Sequence, residues 1–68
     1  MKWIDINKVQ PRKGVEVLVY STENGIKQDR YDHYNKNQDN KYWFYGDKEE
    51  YETSVTHWMP LPEPPTHS

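Results

Sequence analysis

Apolar and polar positions alternate along the chain in short runs of strand length. The clearest is Val15-Glu16-Val17-Leu18-Val19-Tyr20, rich in β-branched residues and bounded by Gly14 and Ser21. Val15, Val17 and Val19 fall on one face, Leu18 and Tyr20 on the other. A strand apolar on both faces is expected in the middle of a sheet. Ser21-Thr22-Glu23-Asn24-Gly25 predicts a hairpin turn, since Asn24-Gly25 tolerates the positive φ of a tight hairpin. Ile26 to Asp32 then returns antiparallel with a water-facing polar side, and Tyr31 is its residue best placed to reach the core. Trp3-Ile4-Asp5-Ile6 reads as a short first strand or arm, with Trp3 as a core plug. Asn7 to Lys13, containing Pro11, reads as a loop.

The second half is aromatic and then proline-rich. His33 to Lys41 reads as a polar loop in which only Tyr34 is apolar. Tyr42-Trp43-Phe44-Tyr45 predicts a strand ended by Gly46. Trp43 and Tyr45 lie on one side, Tyr42 and Phe44 on the other. A domain this small cannot bury both pairs, so one packs inward and the other stays partly exposed. Asp47 to Glu52 fits either a single helical turn, with Asp47 as cap and Glu50 as its reciprocal partner, or an acidic loop. In Val55-Thr56-His57-Trp58-Met59 a last strand puts Val55, His57 and Met59 on one side and Thr56 and Trp58 on the other. Pro60 lacks a backbone donor and ends the strand or confines it to an edge. Pro62, Pro64 and Pro65 hold the following chain in polyproline II form. Trp58 and Leu61 are its anchors, a reading preferred to a free ligand for a proline-reading domain.

These elements predict an all-β fold: an antiparallel β domain over residues 1–59 and a proline-rich tail over 60–68, packed on the sheet. The domain would be one twisted sheet of about four strands, with at most one helical turn. Its core would hold Trp3, Val17, Val19, Tyr31, Trp43 and Trp58.

Composition sharpens this picture. A chain of 68 residues is one domain, and at this size folding buries only about 60% of the unfolded surface. Hydrophobic residues are 32% of the chain and aromatic ones 15%, so the rings must carry much of the core and some must stay partly exposed. There is no cysteine, which excludes disulfides and thiol chemistry and fits a reducing compartment. The net charge of −2 disfavours nucleic acid as a partner, because such binding needs a basic face. No apolar run approaches the roughly 20 residues of a membrane span, and the start has no apolar signal core. The expected location is the cytoplasm of the cell that makes the chain.

Catalytic and metal chemistry find little support in the residues. His33, His57 and His67 form no paired ligand motif, and Asp32-His33 reads as a charged loop pair. Ser21, Ser54 and Ser68 lack a nucleophile elbow, and His57 reads as a half-buried structural histidine. Gly14, Gly25 and Gly46 are scattered, so there is no phosphate loop. The expectation is a non-enzyme with no catalytic residue, no metal and no cofactor. What remains is binding through rings. Tyr34, Tyr42, Phe44 and Tyr51, with Asp47, Glu49 and Glu50 beside them, form the expected partner surface, since Tyr and Trp bury much area at low entropic cost. A protein is the expected partner, and self-association into a homo-oligomer would also absorb the surplus rings.

Trp3-Ile4, Pro11, Gly14, the strand Val15 to Tyr20, the rings Tyr42 to Tyr45 and above all Val55-Thr56-His57-Trp58-Met59-Pro60-Leu61-Pro62-Glu63-Pro64-Pro65 give the chain a resemblance. It resembles the small phage and prophage family catalogued as domain of unknown function 551. The long terminal motif is the specific part. Gln10 departs from the family's pattern, which tends to place Leu before the first Pro. The resemblance implies a phage- or prophage-encoded accessory protein of the cytoplasm of a bacterial host cell, and implies no catalytic residue or cofactor. It makes a host or phage protein the expected partner. The alternative it suggests is an anti-defence inhibitor that blocks a host immune complex or sequesters a nucleotide signal; sequestration would need Arg12, Lys13 or Arg30 near exposed rings.

Overall fold

The computed structural model describes residues 2–37, 39–46 and 49–62, and in it the chain forms one antiparallel sheet of six strands. In chain order these are β1 (Ile4–Asp5), β2 (Glu16–Ser21), β3 (Gly25–Asn35), β4 (Lys41–Gly46), β5 (Tyr51–Glu52) and β6 (Val55–Pro60). In space they run β1-β6-β2-β3-β4-β5. The count exceeds the expected four because β1 and β5 are two-residue edge strands, too short for alternation to reveal. No helix occurs among the described residues. Glu49 N–H donates to Gly46 O at 3.1 Å and Gly46 N–H to Glu50 O at 3.0 Å; Asp47, the cap expected for a helical turn, lies outside the described residues.

β2 is central, between β6 and β3, as its two apolar faces predict. The β2–β3 hairpin turns at Gly25, whose φ of +76° suits a residue without Cβ. Ser21 Oγ holds the turn by accepting from the backbone N–H of Glu23 and Asn24. Only Thr53 and Ser54 separate β5, at one edge, from β6, next to the other edge. So short a link forces the sheet to curl. Its inner face encloses Ile6, Val17, Val19, Phe44, Val55 and Trp58, against which Ile4, Tyr31 and Tyr42 pack. Fully burying each large apolar side chain contributes about 1.5–3 kcal/mol.

Several expectations are corrected by this core. Phe44, expected on the partner surface, is 0% exposed. Trp43, expected in the core, is half-buried on the outer face. The alternation of Tyr42 to Tyr45 holds, but Phe44 and Tyr42 form the inward pair. Phe44 is the only one of these rings with no polar atom, so it alone needs no hydrogen-bond partner when sealed. Trp3 is 39% exposed and lies against Tyr20 on the outer face; the strand it precedes, β1, turns Ile4 inward instead. Val15 precedes β2 and is exposed. Val17, Val19 and Trp58 are buried as expected, and Tyr31 packs on Phe44 with ring centroids 5.3 Å apart.

Two register shifts account for the departures from simple alternation. In β6, Val55 faces Ser21 and His57 faces Tyr20, so Thr56 is the extra residue. This shift brings Val55 to the same buried side as Trp58. In β3, Tyr31 faces Phe44 and His33 faces Trp43, with Asp32 the extra residue. His33 to Asn35, expected in a loop, extend β3, because Trp43, Tyr42 and Lys41 pair with them. Cross-strand aromatic contacts outweigh the polar composition there.

One close approach ties β3 to β4. A Cβ built at Gly46 would lie 2.6 Å from Asp29 Oδ1, and Asp29 is itself buried. Gly46→Ala is therefore expected to cost about 1–3 kcal/mol, the usual range for overpacking. In a domain of this size that is a drop of several degrees in Tm, read by circular dichroism. An unchanged Tm would show that the Asp29 side chain moves aside freely.

Candidate functional site

The curled sheet leaves an outer face, and cross-strand register fixes which side chains line up on it. One row runs Glu16, Arg30, Tyr45, Tyr51 across β2, β3, β4 and β5. Glu16 accepts a hydrogen bond from Gln28 Nε2 at 3.0 Å and lies 3.8 Å from Arg30 Nη1. Both partners of that ion pair are well exposed, so it adds little stability. It does help hold Arg30 in place, with the guanidinium carbon 5.3 Å from the centroid of the Tyr45 ring. Tyr45 meets Tyr51 edge-on at 5.1 Å, and Tyr51 meets Trp43 edge-on at 5.1 Å. Trp43 stacks on His33 at 5.6 Å with planes 20° apart.

The ends of this chain of rings are pinned. Trp43 Nε1 donates to the Asp39 carboxylate at 3.1 Å, and His33 Nδ1 is hydrogen-bonded to Asp32 Oδ2. The result is a continuous surface from His33 to Arg30 in which Tyr51 is 51% exposed. Edge-to-face contacts of this kind contribute about 0.5–1.5 kcal/mol beyond area burial. They also fix the rings in place before any partner arrives, which lowers the entropy lost on binding.

The expected partner residues do not form one patch. Tyr51 belongs to the outer row. Tyr34 is exposed and sits 4.6 Å from Tyr42, whose ring is half-buried against the core. Glu49 and Glu50 are exposed, Phe44 is sealed inside, and Asp47 lies outside the described residues. Trp43, Tyr45, Arg30 and His33 are the members of the outer surface that the expected set omits. The alternation of Tyr42 to Tyr45 already paired Trp43 with Tyr45; only the choice of inward pair was needed to find them. Of the cations any of which could serve the nucleotide alternative, Arg30 stands beside an exposed-face ring, whereas Arg12 lines a cleft with Trp58 and Leu61. That cleft holds the first residues of the tail; residues 63–68 lie outside the described residues.

A second polar cluster lies inside. Glu52, read from its acidic neighbours as solvated, is only 5% exposed. Its carboxylate accepts from Asn24 Nδ2 and from Ser54 Oγ at 3.0 Å, and Lys27 Nζ lies 3.9 Å away. Ser54 and Ser21 hydroxyls are 2.7 Å apart. Burial pushes the Glu52 carboxyl up, but the hydrogen bonds of Asn24, Ser21 and Ser54 and the charge of Lys27 outweigh it and hold the group below its ordinary value. On Tyr31, burial raises the phenol above its ordinary value, and the neighbouring Tyr42 and Asp32 add to the effect. The Glu52 cluster ties the β2–β3 turn to the β5–β6 link, which is a structural task. Among the described residues no group of three His, Cys, Asp or Glu side chains could hold a metal ion.

The family model that matches the chain is described as a protein of unknown function, DUF551, and the match covers residues 2–66. Neither the curated proteins nor the solved structures contain a significant match.

Proposed function

We propose, for a chain that belongs to the DUF551 family, a non-enzymatic role as a protein-interaction module that docks through its outer aromatic row. The observation that carries this reading is the unbroken run His33–Trp43–Tyr51–Tyr45–Arg30, held in register by three strands. Tyr, Trp and Arg are the residue types that dominate binding energy at protein interfaces. A partner with a flat apolar patch and a carboxylate opposite Arg30 fits the row. The likeness of the terminal motif to phage and prophage proteins supports a setting in a bacterial cell, with a host or phage protein as partner. No helix among the described residues is long and apolar enough to cross a membrane.

One observation favours a second reading. Arg30 over Tyr45 pairs a cation with a ring, the combination that holds a phosphate and a stacked base. Two measurements separate the readings. The double variant Tyr45→Ser/Tyr51→Ser is expected to fold, since each such cross-strand pair is worth about 0.2–1 kcal/mol, and to lose the partner that the unaltered chain retains from bacterial lysate. Nucleotides screened by thermal shift are expected to leave Tm unchanged. A nucleotide that raises Tm several degrees at millimolar concentration would replace the protein-docking reading. Retention of every partner by the folded double variant would remove the row from the interface.

A further inference from the structure

A different ring site lies at the other end of the outer face. There the register lines up Asp5, His57, Tyr20 and Ile26 across β1, β6, β2 and β3. Trp3, just before β1, reaches over to Tyr20, the two rings meeting edge-on with centroids 6.4 Å apart. Trp3, Tyr20 and His57 line a notch of about 260 Å³. Tyr20 lies four positions along β2 from Glu16 in the row above, about 13 Å at 3.3 Å per residue, so the two sites are distinct.

The chemistry of the notch narrows its occupant. Pockets for small molecules run about 300–1,000 Å³, so this one suits one or two side chains of a peptide. Among the described residues no Lys or Arg lines it, and the charge in its row is Asp5, which disfavours phosphate. The Trp3 indole N–H and the Tyr20 hydroxyl make no hydrogen bond to another described residue. Exposed rings with donors to spare match a polyproline II segment, which presents proline rings together with carbonyls that have no internal partner. The chain itself carries such a segment: four of its five prolines lie at positions 60, 62, 64 and 65.

We propose that the Trp3–Tyr20–His57 notch receives the proline segment Pro62–Pro65 of a second copy of this chain. Within one copy the described chain runs away from the notch. β6 carries the chain from His57, next to Tyr20, to Pro60, opposite Val17, about 10 Å farther along the strand. Return would need an immediate reversal through Pro60 and Pro62, whose fixed φ and missing donors oppose it. Mutual exchange of tails between two copies is isologous and closes as a dimer.

Light scattering of the full chain across a dilution series tests this, alongside two variants: Tyr20→Ser in the notch and Pro64→Ala/Pro65→Ala in the tail. Circular dichroism at the lowest concentration checks that both variants keep the fold; should Tyr20→Ser fail to fold, Tyr20→Leu replaces it. The expected result is a dimer whose dissociation constant rises at least about tenfold in either variant, a loss of 1.4 kcal/mol or more. Loss in only one of the two variants would break the pairing of notch with tail. A dimer indifferent to both would place the interface elsewhere, and a chain that stays monomeric to about 1 mM, the weak end of specific association, would overturn the proposal outright.

Discussion

Phe44→Ala is expected to unfold the domain at 37 °C. Phe44 has no exposed surface, faces Tyr31 across β3 and β4, and belongs to the cluster with Ile6, Val17, Val19, Val55 and Trp58. Truncating a buried Phe to Ala costs about 3–5 kcal/mol through lost transfer energy and the cavity left behind. Native stability at 0.05–0.15 kcal/mol per residue comes to roughly 3–10 kcal/mol for a chain of this length. The loss therefore consumes most of the margin. Nothing nearby is placed to refill the space: the sheet is curled around it, and Val17, Val19 and Trp58 are held by strand pairing on both sides. Urea titration followed by tryptophan fluorescence would show a midpoint near zero denaturant, against a normal cooperative transition for Tyr51→Ser. A variant that melts with the parent would mean that the inner face of β4 is not the core. The result also governs how binding is tested, since loss of a partner by Phe44→Ala would report unfolding; the outer residues Tyr45 and Tyr51 carry that test instead.

The same residue marks where the sequence was readable and where it was not. Period-two alternation correctly separated Tyr42 and Phe44 from Trp43 and Tyr45, because side-chain direction in a strand is a local property. Choosing the inward pair depends on what lies opposite, and Tyr31 and Glu52 come from other strands. The central place of β2 and the turn at Gly25 were legible for the same local reason. Thr56 and Asp32 were not, since a bulge is a mismatch between two strands and leaves no mark in either one. Trp3 misled through its size: a large ring at the start of a chain suggests a plug, yet the inward place in β1 belongs to Ile4. Glu52 was hidden in an acidic run whose neighbours Glu49 and Glu50 are solvated. Its partners Asn24 and Ser21 lie about thirty residues away, and only the sheet's closure brings them together.

That buried carboxylate sets the second large expectation, a dependence of stability on acid. Glu52 titrates below its ordinary value of 4.5 in the folded chain, and near it once unfolded. As pH falls, protons bind the unfolded chain first and draw the equilibrium toward it. The contribution is whole above about pH 4.5 and disappears as pH drops through the folded value. Glu52→Gln removes the titration. It also puts an amide N–H₂ in place of one carboxylate oxygen, so that one of the two donors, Asn24 Nδ2 or the Ser54 hydroxyl, loses its acceptor, and takes the charge from beside Lys27. Lys27 is one-third exposed, so solvent screens that part and the hydrogen bonds dominate. Replacing the charged acceptor is expected to cost about 2–3 kcal/mol at pH 7. The gap should narrow below pH 4, because the parent then loses the same charged acceptor. Urea midpoints of both chains at pH 7, 5, 4 and 3 provide the measurement, and the other carboxylates cancel in the difference. Parallel profiles over that range would mean that Glu52 titrates alike in the folded and the unfolded chain, and that its hydrogen bonds do not stabilise the charged form.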